Sequence, residues 1–159
     1  MTSSFMHTTY LALGTNLGDK RAMMNTAIDE IGRRVGFVKA CSSFMETLPW
    51  GFESYNSFLN AAICVETPLS AEALLVATQE IERDMGRTLK SVNGIYHDRI
   101  IDIDILLYDD KILSCQNLVI PHPQMHLRRF VLEPLAEIAS DVVVPGRNST
   151  VGELLSMLE

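Results

Sequence analysis

Between residues 101 and 105 the chain alternates strictly, Ile101-Asp102-Ile103-Asp104-Ile105, and few backbones can accommodate such a run. A period of two is that of a half-buried β-strand, with the isoleucines on one face and both aspartates on the other. Side chains two residues apart on a strand lie about 6.5–7 Å apart. Two carboxylates at about 6 Å repel by roughly 3 kcal/mol at an effective dielectric near 20. Aspartate is also a poor strand former, so the pair opposes local propensity. Hard oxygen ligands presented side by side suit Mg²⁺, which binds one or two carboxylates together with substrate phosphates. An ordinary sheet with one wet face is the competing reading of this pattern.

The 159 residues predict one domain, 1–159, with enough chain for a proper core. A hydrophobic fraction of 47% with 21% charged residues is that of a soluble globular protein. No apolar run reaches the length of a membrane span, and the start, Met1 to His7, lacks the basic and apolar regions of a signal peptide. Three cysteines, Cys41, Cys64 and Cys115, are odd in number and lack metal-ligand spacing, which predicts a reduced, cytoplasmic setting and packing roles. A net charge of −7 excludes a general nucleic-acid binder, whose surface would carry a broad basic patch. It leaves room for a small anionic substrate. Arg83, Arg87, Lys90, Arg99, Arg128 and Arg129 all fall in the second half, either gathered around phosphates or scattered on the surface.

Read in order, Thr8 to Leu13 is a strand and Gly14 to Gly18 a tight turn. Asp19 caps a helix reaching Val35, with Gly36 as its C-terminal cap. Strands follow over Phe37–Glu46 and Phe58–Glu66, separated by the irregular stretch Thr47 to Phe52. Ser70 caps a second helix ending at Gly86, and Arg87 to His97 reads as a loop before the aspartate strand. A short strand at Leu118–Ile120 precedes Pro121-His122-Pro123. A helix follows over Phe130–Ile138, with Pro134 in a first turn or at a break, and Thr150-Val151-Gly152-Glu153 forms a capping box. The order strand, helix, strand, strand, helix, strand is a split βαβ arrangement. It predicts an α+β fold, a mostly antiparallel sheet with helices packed on one face.

Several further residues carry chemistry in outline. Gly14-Thr15-Asn16-Leu17-Gly18 offers backbone N–H groups to an anion, or is only a connection. Trp50 and Phe52, in a loop, can sandwich a planar heterocycle or anchor the loop. Asn60 has the donors and acceptor for the edge of such a ring. Gln79 and Glu82 share a helix face. His122 is held between two prolines, as a structural or a catalytic histidine.

Taken together these segments resemble the 6-hydroxymethyl-7,8-dihydropterin pyrophosphokinase family of folate biosynthesis. The resemblance rests on Leu13 to Gly18, Phe58 to Ala62, Gln79 to Arg87, Arg99 to Leu106, Val119 to Met125 and Arg128 to Leu135, in that order over nearly the whole chain. It implies a ferredoxin-like α+β fold and transfer of the β,γ-diphosphate of ATP to the pterin hydroxymethyl oxygen, releasing AMP. It implies that Asp102 and Asp104 hold two Mg²⁺ ions, with Arg99 and His122 as further catalytic residues. Gln79, Glu82, Arg87, Arg99, Ile105, His122 and Arg128 would bind ATP. Thr47, Leu48, Trp50, Phe58, Asn60, Tyr96 and Phe130 would bind the pterin, Tyr96 standing where the family often has tryptophan. Leu48 and Pro123 replace a frequent proline and tyrosine. The implied partners are these small molecules alone, with no nucleic acid or membrane, and a monomer is expected.

Two alternatives belong to other classes. Another Mg²⁺-dependent nucleotidyl or phosphoryl transferase would differ in its product, an ordinary kinase making ADP rather than AMP. A ferredoxin-like ligand-binding module would need no paired aspartates and would turn over no ATP.

Overall fold

The computed structural model describes residues 6–16, 18–47, 57–93 and 101–158, with side chains left aside for 87–93. Strand β1, His7–Thr15, lies at the centre of the sheet and pairs antiparallel on both sides. One partner is β4, Phe58–Thr67, and the other is β5, Asp102–Tyr108. Outside β4 lie β2, Phe37–Cys41, and then β3, Met45–Thr47, which pairs with the start of β4. The order β2-β4-β1-β5 inserts β4 between β1 and β2, and β1 between β4 and β5. This is the split βαβ arrangement expected from the element order, and the ferredoxin-like α+β class holds. The expected strand over 37–46 is instead two strands, because Ser42 to Phe44 breaks the ladder between β2 and β3.

Two helices cover one face. Helix α1, Lys20–Arg34, begins as predicted at Asp19, whose side chain accepts the Ala22 N–H. Its buried Met24, Ala27 and Ile31 recur at the spacing of a single face. Helix α2 runs Ala71–Asn93, seven residues beyond the predicted end at Gly86. The expected loop from Arg87 to His97 is therefore helical through Asn93. Gly86 has open space around it, and one glycine costs a helix only about 1 kcal/mol. Ile101, Ile103 and Ile105 lie under these helices with Leu11, Leu13 and Ile63, each at most 6% exposed. Burying each isoleucine contributes on the order of 1.5–3 kcal/mol.

Helices do not keep to one face, contrary to expectation. Helix α3, Arg129–Ala139, packs Val131, Leu132, Leu135 and Ala139 on the opposite side, over Ala62 and Leu106. Pro134 sits buried inside a continuous α3, neither in the first turn nor at a break, the two places expected for it. The small hairpin of β6, Leu113–Ser114, and β7, Val119–Ile120, follows β5. Past α3 come β8, Val143–Val144, and β9, Ser149–Thr150. The predicted capping box then opens α4, Val151–Met157, with Thr150 and Glu153 each bonding the other's backbone. A register shift opposite Tyr10 and Leu11 turns both Leu106 and Leu107 toward this second core.

Among the described residues no helix is long and apolar enough to cross a membrane. Of the cysteines only Cys64 is buried as predicted; Cys41 and Cys115 are exposed.

Gly36 follows the Val35 cap of α1, but its φ is not positive. It is needed for a close approach: a β-carbon there would overlap the Glu66 carbonyl oxygen and stand 2.9 Å from Thr67 Cα. The Thr67 hydroxyl already holds this crossing by donating to the Val35 carbonyl at 2.7 Å. Gly36→Ala is therefore expected to cost about 2 kcal/mol. Thermal unfolding should show a midpoint about 4–8 °C lower, and an unchanged midpoint would mean the crossing relaxes freely.

Candidate active site

Side chains on the α3 face of the sheet form two rows across three strands. Gly14 of β1 stands between Asp102 of β5 and Asn60 of β4, and one step along Ala12 stands between Asp104 and Ala62. The middle strand thus contributes no side chain larger than a methyl group. A hollow remains between the carboxylates on one flank and the amide on the other. Gly14 was expected to open a turn, but β1 continues through Thr15 because both neighbours pair with it. Its missing side chain matters more than its flexibility, since a β-carbon would stand 3.2 Å from Asn60 Oδ1.

The hollow is one cavity of about 770 Å³, bounded by Gly14, Asn60, Thr47, Phe58, Asp102 and Asp104 below and by Leu127 to Val131 and Glu133 above. Asn60 is only 6% exposed and donates through Nδ2 to Thr47 Oγ1 at 3.0 Å, tying β3 to β4. Phe58 and Phe130, both lining the cavity, are 42% and 41% exposed and leave ring surface open to it. The Arg128 guanidinium lies 5.7 Å from the Phe130 ring centre, within cation–π range. Arg129 and Glu133 form an ion pair at 3.1 Å on the same helix.

His122 stands in the segment after β7, where Asp102, Asp104 and Arg128 of the cavity lining act on its ring. Its N–H donates to the Leu106 carbonyl at 3.0 Å, which fixes the segment against β5. Its Nδ1 accepts the Gln124 N–H at 3.1 Å, so the neutral ring carries its hydrogen on Nε2. The Gln124 side chain in turn accepts from Arg128 Nη2 at 2.6 Å. One residue thus orients both the histidine and the arginine. Burial holds the His122 imidazole below its ordinary pKa; Asp104 and Asp102 pull it upward and Arg128 pushes it down. Those influences place His122, Arg128 and the two aspartates within one electrostatic neighbourhood.

The structure thus brings together Asp102, Asp104, His122, Arg128, Thr47, Phe58, Asn60 and Phe130 from the predicted set. It does not bring Gln79, Glu82 or Ile105 into the cavity. Gln79 is exposed on α2, on the other side of the sheet. Glu82 meets the outer edge of β5, accepting the Ile103 N–H at 2.7 Å. The Ile105 side chain is 5% exposed in the helix-side core, so only its main chain, on the edge side of β5 shared with Ile103, remains for a ligand. Leu48, Trp50, Tyr96 and Arg99, with Leu17 and Phe52, lie outside the described residues, as does the Arg87 side chain. Missed in the sequence were Ala12, Leu127, Glu133 and Gln124; the four-residue spacing of Arg129 and Glu133 was the one visible signal.

The donor set fits magnesium. Among the described residues no group of three or more histidine, cysteine or acidic side chains gathers around one point. Two carboxylates at the mouth of a cavity suit an ion completing its shell with water and substrate oxygens.

Known proteins resemble this chain throughout. The family model for 7,8-dihydro-6-hydroxymethylpterin-pyrophosphokinase matches residues 10–140. A 2-amino-4-hydroxy-6-hydroxymethyldihydropteridine pyrophosphokinase of Porphyromonas gingivalis is 48% identical over 132 residues, 82% of this chain and 89% of its own length. A protein of the same name in Methylorubrum extorquens is 42% identical over 151 residues, 94% of this chain and 92% of its own. The crystal structure of Plasmodium falciparum HPPK-DHPS superposes with a TM-score of 0.75 at 16% identity, covering 96% of this chain. This chain spans 44% of that longer protein, and the likeness speaks to fold alone.

Burial also holds the His126 imidazole below its ordinary pKa, with Arg147 adding to the effect. For a histidine depressed on folding, the unfolded chain binds more protons as pH falls, so stability rises with pH. The contribution is complete above the unfolded value near 6.5 and is lost as pH drops below it. Thermal midpoints measured from pH 8 to pH 5 should decline most below about pH 6.5. His122→Gln should make that slope shallower, and an unchanged slope would show that His122 is not held neutral by the fold.

Proposed function

Since the chain belongs to the 7,8-dihydro-6-hydroxymethylpterin-pyrophosphokinase family, we propose that the cavity over β1 is where its reaction takes place. The activity is pyrophosphoryl transfer to hydroxymethyldihydropterin, a step of folate biosynthesis, with ATP as co-substrate. The observation that carries the assignment is the division of one cavity into two chemistries. Carboxylates occupy the β5 flank, while an amide and the Phe58 ring occupy the β4 flank, with Gly14 and Ala12 between them and Arg128 and Phe130 above.

On the β4 flank Asn60 and Thr47 read the polar edge of the pterin, and Phe130 stacks on its face. Phe58 closes the end of the slot, and Leu48, Trp50 and Tyr96 complete it. The substituent of the ring then points across Gly14 toward Asp102 and Asp104. These two would hold two Mg²⁺ ions. Bound there, magnesium would offset the charge on phosphate oxygens and lower the pKa of the attacking hydroxyl, favouring its alkoxide.

Arg128 lies against the roof with its guanidinium already oriented by Gln124, ready to meet a phosphate in the fork geometry that arginine favours. His122, neutral with its hydrogen on Nε2, donates to a phosphate oxygen without needing to titrate. Arg87 and Arg99 supply further positive charge. Gln79, Glu82 and the Ile105 main chain hold the nucleoside along the edge of β5. Phosphoryl transfer asks mainly for positioning and charge stabilisation, which agrees with a cavity lined, among the described residues, by no cysteine or serine. The protein works as a monomer on small molecules and needs no nucleic acid.

Incubation with ATP, Mg²⁺ and 6-hydroxymethyl-7,8-dihydropterin should yield AMP and the pterin diphosphate; ADP would point to an ordinary kinase instead. Asp102→Asn and Asp104→Asn, made separately, should each lower turnover by at least about 10²-fold, the size expected for a lost electrostatic contact. Circular dichroism should report an intact fold in both. Near-normal Mg²⁺-dependent turnover in either variant would remove that aspartate from the metal site.

A further inference from the structure

The two halves of the pterin slot come from parts of the fold that share no strand pairing. Asn60 and Thr47 belong to the sheet, whereas Phe130 hangs above them in the first turn of α3. The distance between them depends on how α3 is fixed along β3. Apolar contacts hold α3 over β4, but such contacts are non-directional and set no register along the helix axis.

A directional tie does exist, at the far end of α3. The Glu137 carboxylate accepts the Ser43 N–H through Oε1 and the Ser43 hydroxyl through Oε2, each at 2.8 Å. Those two bonds hold the Glu137 carboxyl below its ordinary pKa. Ser43 is itself rigidly mounted. Its neighbour Ser42 is 5% exposed, donates its backbone N–H to the Ala62 carbonyl, accepts the Ala62 N–H on its hydroxyl and donates that hydroxyl to the Ser43 carbonyl. Ser42 and Ser43 thus replace the broken ladder between β2 and β3 with side-chain bonds.

The spacing on both elements is matched. Phe130, Glu133 and Glu137 recur at three and four residues, one stripe of the helix. From Glu137 back to Phe130 is about two turns, or ~10.5 Å of rise. From Ser43, in the break, to Thr47 at the end of β3 is four residues, at most about 13 Å of extended chain. With Glu137 pinned at Ser43, the same stripe therefore brings Phe130 back to the level of Thr47, where both line the cavity.

We propose that Glu137 is a positioning residue for the pterin: its two bonds to Ser43 set the height of the Phe130 ring over Thr47 and Asn60. This rests on the assignment of the pterin to that flank. With the clamp loosened the ring must be ordered when the pterin binds, a cost in affinity that should be readable without unfolding the protein. ATP, bound on the β5 flank, should be largely indifferent to it.

The test compares Glu137→Ala, Glu137→Gln and Ser43→Ala in steady-state kinetics, with calorimetric binding of 6-hydroxymethylpterin and of a non-hydrolysable ATP analogue. Glutamine can accept the Ser43 N–H and donate to the Ser43 hydroxyl, so it should behave within about twofold of the parent. Glu137→Ala should raise the pterin KM and dissociation constant about tenfold, the worth of bonds to a charged acceptor. Its kcat at saturation and its affinity for the ATP analogue should change little. Ser43→Ala, which loses one bond, should shift the same constants in the same direction by less, and it serves if the alanine at 137 does not fold. An unchanged pterin constant in Glu137→Ala would overturn the inference. So would equal losses for pterin and ATP analogue, or a glutamine variant as impaired as the alanine. If the parent protein bound ATP but no pterin, the assignment of the slot would fail instead, whatever the variants did.

Discussion

Everything at this site depends on the register of β5. The strand carries three isoleucines into the helix-side core and two aspartates onto the opposite face. A slip of one residue would exchange those sets, burying two carboxylates and exposing the isoleucines. An unpaired buried carboxylate costs several kcal/mol even after relaxation. The core therefore enforces the placement of the aspartates, and no local contact at the carboxylates has to do so. Residues that never approach a substrate thereby determine where the charge of the site stands.

The remaining parts are arranged around the absence of side chains on β1. Gly14 and Ala12 lie in the middle strand, where a larger residue would fill the space between the acidic and amide flanks. The roof arrives from the C-terminal third of the chain, and two small polar devices hold it in place. Gln124 couples the orientation of His122 to that of Arg128, and Glu137 ties α3 to the strap before β3. A chain of net charge −7 can serve anionic substrates because its arginines act locally; the overall sign limits only long-range attraction.

The elements that were legible in the sequence are those whose signals are local. Alternation revealed β5, Asp19 and Ser70 marked the helix starts, and the pair Thr150 and Glu153 marked α4. The errors arose where tertiary contacts override local preference. Gly86 resembles a helix stop, yet α2 continues through it to Asn93. Gly36 resembles a left-handed cap, yet it is there to let the crossing pass Glu66. The helices of the second face were expected as elements, but their face was not, because a split βαβ pattern places only the elements within it, and α3 lies beyond. At the site, residue types with distinctive chemistry were visible in advance: Asp102, Asp104, His122, Asn60 and Phe130. Glu137 was not, because its partner Ser43 is brought near by folding from 94 residues away in sequence. Gln124 was not either: its partners His122 and Arg128 are two and four residues away, but in an irregular segment whose geometry no periodicity announces.

The carboxylate of Glu82 on the Ile103 N–H has a bearing on how this protein lives among others. An outer strand with bare amides is a template on which a neighbouring chain can grow a sheet. Here an acidic side chain from a helix of the same domain occupies one of those amides and places charge along the border. A foreign strand approaching there would have to displace a bond to a charged acceptor before gaining its own. At this point of the border, beside the paired aspartates, a helix carboxylate therefore raises the cost of adding a strand.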